Sequence, residues 1–371
     1  MKTLHVIAFD VPYPANYGGV IDVFYKLKYL HECGVEIILH CFEYGRGEQN
    51  ELNKYCKKVF YYKRTKNIQH QFSQLPFIVK TRINEKLIAN LLQDEGAILF
   101  EGLHTCGILN DHRLKNRFKI YRESNIEHEY YEQLSKTEAS LLKKIYFKLE
   151  AHKLKRFERI LQHADYMLTV SKKDNEYLKS KFRTNRIEYL PSFHPYKTVE
   201  TLTGKGDYVL YHGNLQITEN HAAAVYLVKH VFIDERLNYK IAGLQPQQEL
   251  KKLVLNKPNV ELIVNPDEAA LKKLIQHAHV NCLITFQESG LKLKLLHALY
   301  AGRFCIVNQP MLYGTDLAEL CMVANTAQET VDAIANAFKI NFEANISDER
   351  KIKLLQFDVM RNAKRIEKLI Q

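Results

Sequence analysis

The segment Val280-Asn281-Cys282-Leu283-Ile284-Thr285-Phe286-Gln287-Glu288-Ser289-Gly290-Leu291-Lys292-Leu293-Lys294-Leu295-Leu296-His297 reads as one complete strand, turn and helix. Residues 280–283 form the short apolar run of a strand buried on both faces, 285–290 is the turn, and helical spacing of apolar residues runs from 290 to 300. In an open parallel sheet ligands sit outside the carboxyl ends of the strands, so the loop after such a strand carries the functional weight. Lys294 and His297, three apart, share a helical face, whereas Lys292 falls about 200° round from Lys294 at roughly 100° per residue. A lysine in a helix's first turn suits a diphosphate, because its charge and the helix dipole both oppose the phosphate charge. An ordinary surface lysine is the alternative for both, more so for Lys292.

Outward from this unit the alternation continues in both directions. Strands are expected at 208–211, 239–242, 260–263 and 304–307, with helices at 220–232, 246–255 and 268–277. The first half repeats the pattern, with strands at 4–9, 35–41, 59–61, 97–100, 119–121 and 166–170. Its helices are expected at 20–31, 81–93, 126–134, 136–163 and 172–182. Such alternation predicts two doubly wound parallel sheets, an α/β fold of two Rossmann-like halves. It lapses through Pro191-Ser192-Phe193-His194-Pro195 and Thr201-Leu202-Thr203-Gly204-Lys205-Gly206-Asp207, which places the domains at 1–193 and 207–351. The tail, 347–371, reads as one or two helices with a stripe of Leu354, Leu355, Val359, Ile366 and Ile370. The part from about 352 is expected to pack back on the first domain.

The totals agree with this division. A chain of 371 residues exceeds the size at which one core stops growing, and a cleft between two domains is then the natural ligand site. With 46% apolar and 26% charged residues it falls in the globular range. No apolar run reaches the roughly 18 residues that span a bilayer, and the first ten residues lack a signal-peptide pattern, so a cytoplasmic location is expected. Seven cysteines without C-x-x-C pairs read as buried small apolar residues, as at Cys282 and Cys305, and neither a disulfide framework nor a metal site is expected.

The net charge of +11 favours anionic company: nucleotide phosphates, an anionic membrane surface, or nucleic acid, the last without a recognition motif to support it. The densest basic stretch, 136–163, carries Lys143, Lys144, Lys148, Lys153, Lys155, Arg156 and Arg159. Leu142, Tyr146, Leu149 and Phe157 are interleaved at helical spacing. It reads as an amphipathic helix with a solvated basic face, with peripheral docking on a membrane surface as the alternative.

Two further loops follow strands. In 10–19, Gly18-Gly19 enters a helix and would bring backbone N–H groups close to an anion or an acceptor hydroxyl, although the G-x-G-x-x-G fingerprint is missing. In 212–220, Thr218 or Asn220 is a candidate helix N-cap, and Gly213 and Asn214 are candidates to line a ligand.

These residues together resemble the GT-B glycosyltransferases of family 4, a retaining, nucleotide-sugar-dependent group. The resemblance spans essentially the whole chain. It rests on Pro12-Tyr13-Pro14-Ala15-Asn16-Tyr17-Gly18-Gly19, Cys33-Gly34-Val35-Glu36, Asn125-Ile126-Glu127-His128 and Val170-Ser171. His297-Ala298-Leu299-Tyr300-Ala301-Gly302 resembles the E-A-M-A-x-G end of the family's donor motif, which puts His297 and Ser289 where its two glutamates would stand.

The resemblance implies two Rossmann-like domains facing a central cleft. It implies transfer of a sugar, with retention, from a UDP- or GDP-type donor to a glycan or lipid-linked acceptor in surface polysaccharide biosynthesis. No permanently bound cofactor, metal or protein nucleophile is implied. Donor binding would fall to Gly213, Asn214, Ser289, Gly290, Lys294 and His297, with Gly18 and Gly19 on the acceptor side. Glu288 would reach sugar hydroxyls, Lys294 and Arg303 the phosphates, and Glu101 or Glu127 an acceptor hydroxyl. Two other readings stay open: a nucleotide-sugar 2-epimerase of the same fold, and a degenerate homologue acting as a binding partner.

Overall fold

The computed structural model describes every residue except Met1, Tyr44, Lys66, Thr184, Asn185, 287–291 and Gln371, and leaves out the side chains of Ile68 and Thr137. The chain forms two compact units, Met1–Phe193 with Val359–Gln371, and His194–Asp358.

The first unit is built on a seven-stranded sheet of order β3-β2-β1-β4-β5-β6-β7, parallel throughout. Its strands are β1 Thr3–Ala8, β2 Glu36–Glu43, β3 Lys58–Lys63, β4 Ala97–Glu101, β5 Lys119–Arg122, β6 Tyr166–Thr169 and β7 Ile187–Tyr189. The second has a six-stranded sheet of order β10-β9-β8-β11-β12-β13, again parallel. Its strands are β8 Tyr208–Asn214, β9 Asn238–Leu244, β10 Val260–Val264, β11 Val280–Leu283, β12 Phe304–Val307 and β13 Met322–Val323. Continuous apolar runs became the central strands because helices cover both sheet faces, as in Val280–Leu283 and Phe304–Val307, where every residue is buried.

Several elements depart from the pattern-based expectation. Strands β7 and β13 and the helix Ala327–Ala337 were not anticipated. The helix expected over 81–93 is split into Phe77–Lys80 and Glu85–Leu91, the second started by Asn84, whose side chain accepts from Lys86 N at 2.8 Å. The helix expected over 126–134 runs on to Thr137, and the one expected over 136–163 starts only at Leu141 and ends at Phe157, followed by a 3₁₀ segment Glu158–His163. Glu127–Thr137 ends before a turn in which Glu138 Oε1 accepts from Ser140 N at 3.0 Å, and Leu141–Phe157 then returns against it, with Tyr131 edge-on to Phe147 at 5.9 Å. The tail also divides. Ala344–Lys353 belongs to the second unit, and Val359–Leu369 packs on Gly18–Glu32 in the first.

At the carboxyl end of β8, Gly213 pairs with Gly243 of β9. A Cβ on Gly243 would lie 2.1 Å from Gly213 O and 2.8 Å from Leu215 Cγ, so only glycine fits. Gly243→Ala is expected to destabilise the protein by about 1–3 kcal/mol through overpacking, read as a lower urea midpoint at unchanged slope.

Candidate donor and acceptor sites

In the second sheet the strand order reverses between β8 and β11, the position at which open α/β sheets gather ligands. The helix Thr218–His230 follows β8 and Leu293–Ala301 follows β11. Two contacts join these segments: Thr285 Oγ1 donates to Glu219 Oε1, and Lys294 Nζ donates to Asn220 Oδ1 at 2.9 Å. Asn220 Nδ2 in turn donates to Asn214 O at 3.1 Å, so the lysine is tied through one amide to the end of β8. Lys294 Nζ also lies 5.2 Å from the Tyr211 ring centroid. Burial lowers its pKa to about 8, against the pull of Glu219, so its proton is only loosely held.

Two imidazoles complete the cluster. Burial brings His297 down to about 4, and His212, on β8, is held well below its ordinary value by burial and then by the nearby His297 and Lys294. Both rings are therefore neutral near pH 7, each able to donate and accept one hydrogen bond. The Nε2 atoms of both are buried without a hydrogen-bond partner among the described residues. Buried polar atoms are seldom left unpaired, so these are candidates to meet a ligand hydroxyl.

The structure corrects three expectations here. Neither Thr218 nor Asn220 caps its helix: Ile217 holds the N-cap position and supplies no side-chain hydrogen bond, which leaves the N-terminal amides to an anion. Lys292 is not on the helix, which starts at Leu293. It is the extended N-cap residue, so the helical angle between it and Lys294 does not apply, and Glu219 bears on both lysines. Arg303 precedes β12, at the amino end of the strand and so opposite the carboxyl-end loops. Its guanidinium donates to the carbonyls of Gln276 at 2.7 Å, Ala278 at 3.2 Å and Thr203 at 3.3 Å, a backbone clamp with no phosphate role. Glu288, Ser289 and Gly290 lie outside the described residues.

The first sheet reverses between β1 and β4. Gly18 and Gly19 open the helix Gly18–Glu32, whose N-cap Tyr17 makes no side-chain capping bond. A Cβ on Gly19 would lie 2.7 Å from Phe9 Cζ, so this glycine permits close packing of the helix on the β1 loop. After β4, Gly102 turns with φ +72°, a conformation natural to glycine.

Glu101 belongs to a buried ion network instead of an open loop. Lys26 Nζ donates to Glu101 Oε1 at 2.7 Å, to Oε2 at 2.9 Å and to Asp22 Oδ2 at 3.0 Å. Arg122 reaches Asp22 at 3.4 Å and the carbonyls of Leu190 and Pro191, while Phe193 N donates to Asp22 Oδ1 at 2.6 Å. Both Glu101 oxygens are thus committed to Lys26, and the expectation of a loop carboxylate that orients an acceptor gives way to one that joins a helix to the sheet.

Glu127 has the opposite surroundings. It opens the helix Glu127–Thr137, it is buried, and its Oε1 has no hydrogen-bond partner among the described residues. His104 Nδ1, equally unpartnered, lies 3.8 Å away. Burial raises Glu127 to about 8 against the charge of Arg82, and lowers His104 well below its usual value. Glu123 and Asp174, beside it, are also raised by burial, and each has an oxygen without a partner.

The sign for Glu127 follows. Between its unfolded value of 4.5 and about 8 the folded protein retains a proton that the unfolded chain has released, so its contribution to stability falls as pH rises through that window. Glu127→Gln, which mimics the protonated acid, is expected to flatten this fall. At about pH 8 it should gain on the order of 1 kcal/mol or more relative to the native sequence, measured as urea midpoints at the two ends of the window.

Sequence reasoning did not single out His212, His104 or Asp174. His212 and His104 lie at or just after the carboxyl ends of β8 and β4, strands that flank the two reversals, but the strand order was needed to see it.

No family model matches the chain. An uncharacterized 44.6 kDa protein in the cps region of Klebsiella pneumoniae is 27% identical over 380 residues, covering 96% of this chain and 95% of that protein. Among solved structures, HepE of Anabaena in complex with UDP and glucose matches with a TM-score of 0.67 at 9% identity, covering 100% of this chain and 99% of that one. WaaG, a glycosyltransferase involved in lipopolysaccharide biosynthesis, matches at 0.66 and 10% identity over 99% of both chains. With two parallel Rossmann-like sheets and these neighbours, the chain has the GT-B fold of glycosyltransferases.

Proposed function

We propose that this protein is a glycosyltransferase that moves a sugar from a nucleotide diphosphate sugar to a glycan or lipid-linked acceptor in surface polysaccharide biosynthesis. The observation that carries this reading is the group at the β8/β11 reversal: a buried cation, Lys294, beside two neutral imidazoles with unpartnered nitrogens and an uncapped helix N-terminus. Lys294 and the Thr218–His230 amides would stabilise the negative charge that grows on the departing diphosphate. His297 and His212 would hydrogen-bond donor hydroxyls where related enzymes use carboxylates.

In the first unit, Glu127 and His104 would position the acceptor hydroxyl beside Gly18 and Gly19. Configuration is retained, with no protein nucleophile. UDP in HepE supports a UDP-type donor, and the cps-region relative supports the polysaccharide role. The reaction takes place in the cytoplasm.

Melting temperatures across a panel of nucleotide diphosphate sugars test this. A donor at 100 times its dissociation constant adds about 2.7 kcal/mol, so one donor should produce a clear, selective shift that Lys294→Ala removes. A flat response across the panel, or isomerisation of the sugar with no acceptor present, would defeat the reading.

A further inference from the structure

The helix Leu141–Phe157 does not bury the apolar stripe that its sequence suggests. Ala151 and Leu154 are buried together with Glu150, which accepts from Phe77 N at 2.7 Å and Lys153 Nζ at 2.8 Å. Leu142 and Leu149 instead stand 80% and 59% exposed, and Leu141 and Ile145 are 71% and 49% exposed. At about 100° per residue these four side chains fall within one arc of roughly 100°. A cluster of large apolar side chains on one exposed arc is a surface built to be covered.

The charge around it says by what. Lys144, Lys148 and Lys155 occupy the adjoining arc on one side, and His152 and Arg156 continue the apolar arc toward the helix's carboxyl end. The helix's one carboxylate, Glu150, is turned inward. Between this helix and Glu127–Thr137 opens a cavity of about 480 Å³ lined by Lys136, Lys148, His152 and Lys155, with Ser135 and Glu132 on its wall. Apolar side chains bordered by cations match a bilayer that presents negative headgroups above hydrocarbon.

We propose that the helix Leu141–Phe157 seats this protein on an anionic phospholipid bilayer, with Leu141, Leu142, Ile145 and Leu149 in the interface and a headgroup phosphate in the lysine-lined cavity. The proposal rests on the lipid-linked acceptor of the proposed function for its purpose, but on the helix alone for its evidence. No described helix is long and apolar enough to cross a membrane, so attachment here is to one face.

Sedimentation of the full chain with vesicles of phosphatidylcholine, with and without phosphatidylglycerol, tests it. Binding is expected only with the anionic lipid, weakening as salt is raised. The double variant Leu142→Asp/Leu149→Asp should lose roughly tenfold or more of that binding, because a carboxylate is driven out of both hydrocarbon and negative headgroups. Both positions are exposed, so its melting temperature and its donor-induced shift should match the native protein, which keeps failure here distinct from failure of the transferase reading. Lys148→Glu/Lys155→Glu should also weaken binding.

Absence of binding to anionic vesicles, or binding by both double variants equal to that of the native protein, overturns the proposal. So does competition by soluble glycerol phosphate, which would assign the cavity to free phosphate. A native dimer that the leucine variant dissociates would assign the apolar arc to a second copy of the chain, and would overturn it as well.

Discussion

Lys294→Ala is expected to lower kcat/KM for sugar transfer by about 10²–10³-fold, the usual cost of removing one group that stabilises developing negative charge. The loss should appear in both KM and kcat, because the bound diphosphate is already charged and gains further charge as the sugar leaves. Fold stability should hold, since the side chain lost is a cation that burial already disfavours. The pH dependence has a definite sign. Lys294 loses its proton near pH 8 in the free protein, so donor affinity should fall as pH rises through about 8, and this fall should vanish in the variant. Stability runs the other way: between about 8 and the unfolded 10.5 the unfolded chain holds the extra proton, and the native protein's stability gains from rising pH there. Donor titrations at two pH values and initial-rate kinetics give both readouts. Unchanged kinetics in the variant would remove Lys294 from the donor site.

Lys26→Met is expected to cost about 3–5 kcal/mol of stability, because it strips the counter-ion from Glu101 in a fully buried setting. Asp22 keeps Arg122 and the Phe193 amide, so the orphaned charge is mainly Glu101. Burial already raises Glu101 above its ordinary value against the pull of Lys26, and without the ammonium it should hold its proton more strongly still. The neutral partner Glu101→Gln should therefore recover part of the loss in the double variant. Urea midpoints for the two single variants and the double form a cycle that reads this coupling. A Lys26→Met loss below about 1 kcal/mol would show that Glu101 is not committed to the network, and would return it to the acceptor candidates.

The same contrast shows how far the residues alone could be read. Eleven strands were legible as short runs between helical segments, most clearly where a strand is buried on both faces, and Val280–Leu283 and Phe304–Val307 appear with the expected bounds. Ile187–Tyr189 and Met322–Val323 were too short to leave a period. Lys294 was legible from its place in the first turn after a strand. The roles of Glu101 and Glu127 were not separable, since both are glutamates near strand ends. Lys26, 75 positions from Glu101, decides one, and the unpartnered position beside His104 decides the other. Arg303 was legible as well: it directly precedes the strand expected at 304–307, which puts it at the amino end, away from the loops that gather ligands.

For the helix Leu141–Phe157, the spacing of leucines and lysines reads as an amphipathic helix with a solvated basic face, but helical period marks a face without stating what covers it. Tertiary packing chose Ala151 and Leu154 for the interior and left Leu142 and Leu149 outside. What the sequence by itself determined is local and periodic: the alternation of strands and helices and the two parallel sheets. Strand order, and with it the meeting of Lys294, Asn220, His212 and His297, was decided only in the tertiary structure. Those residues lie up to 85 positions apart, and only the packing of β8 beside β11 brings their charges and hydrogen bonds within reach of one another.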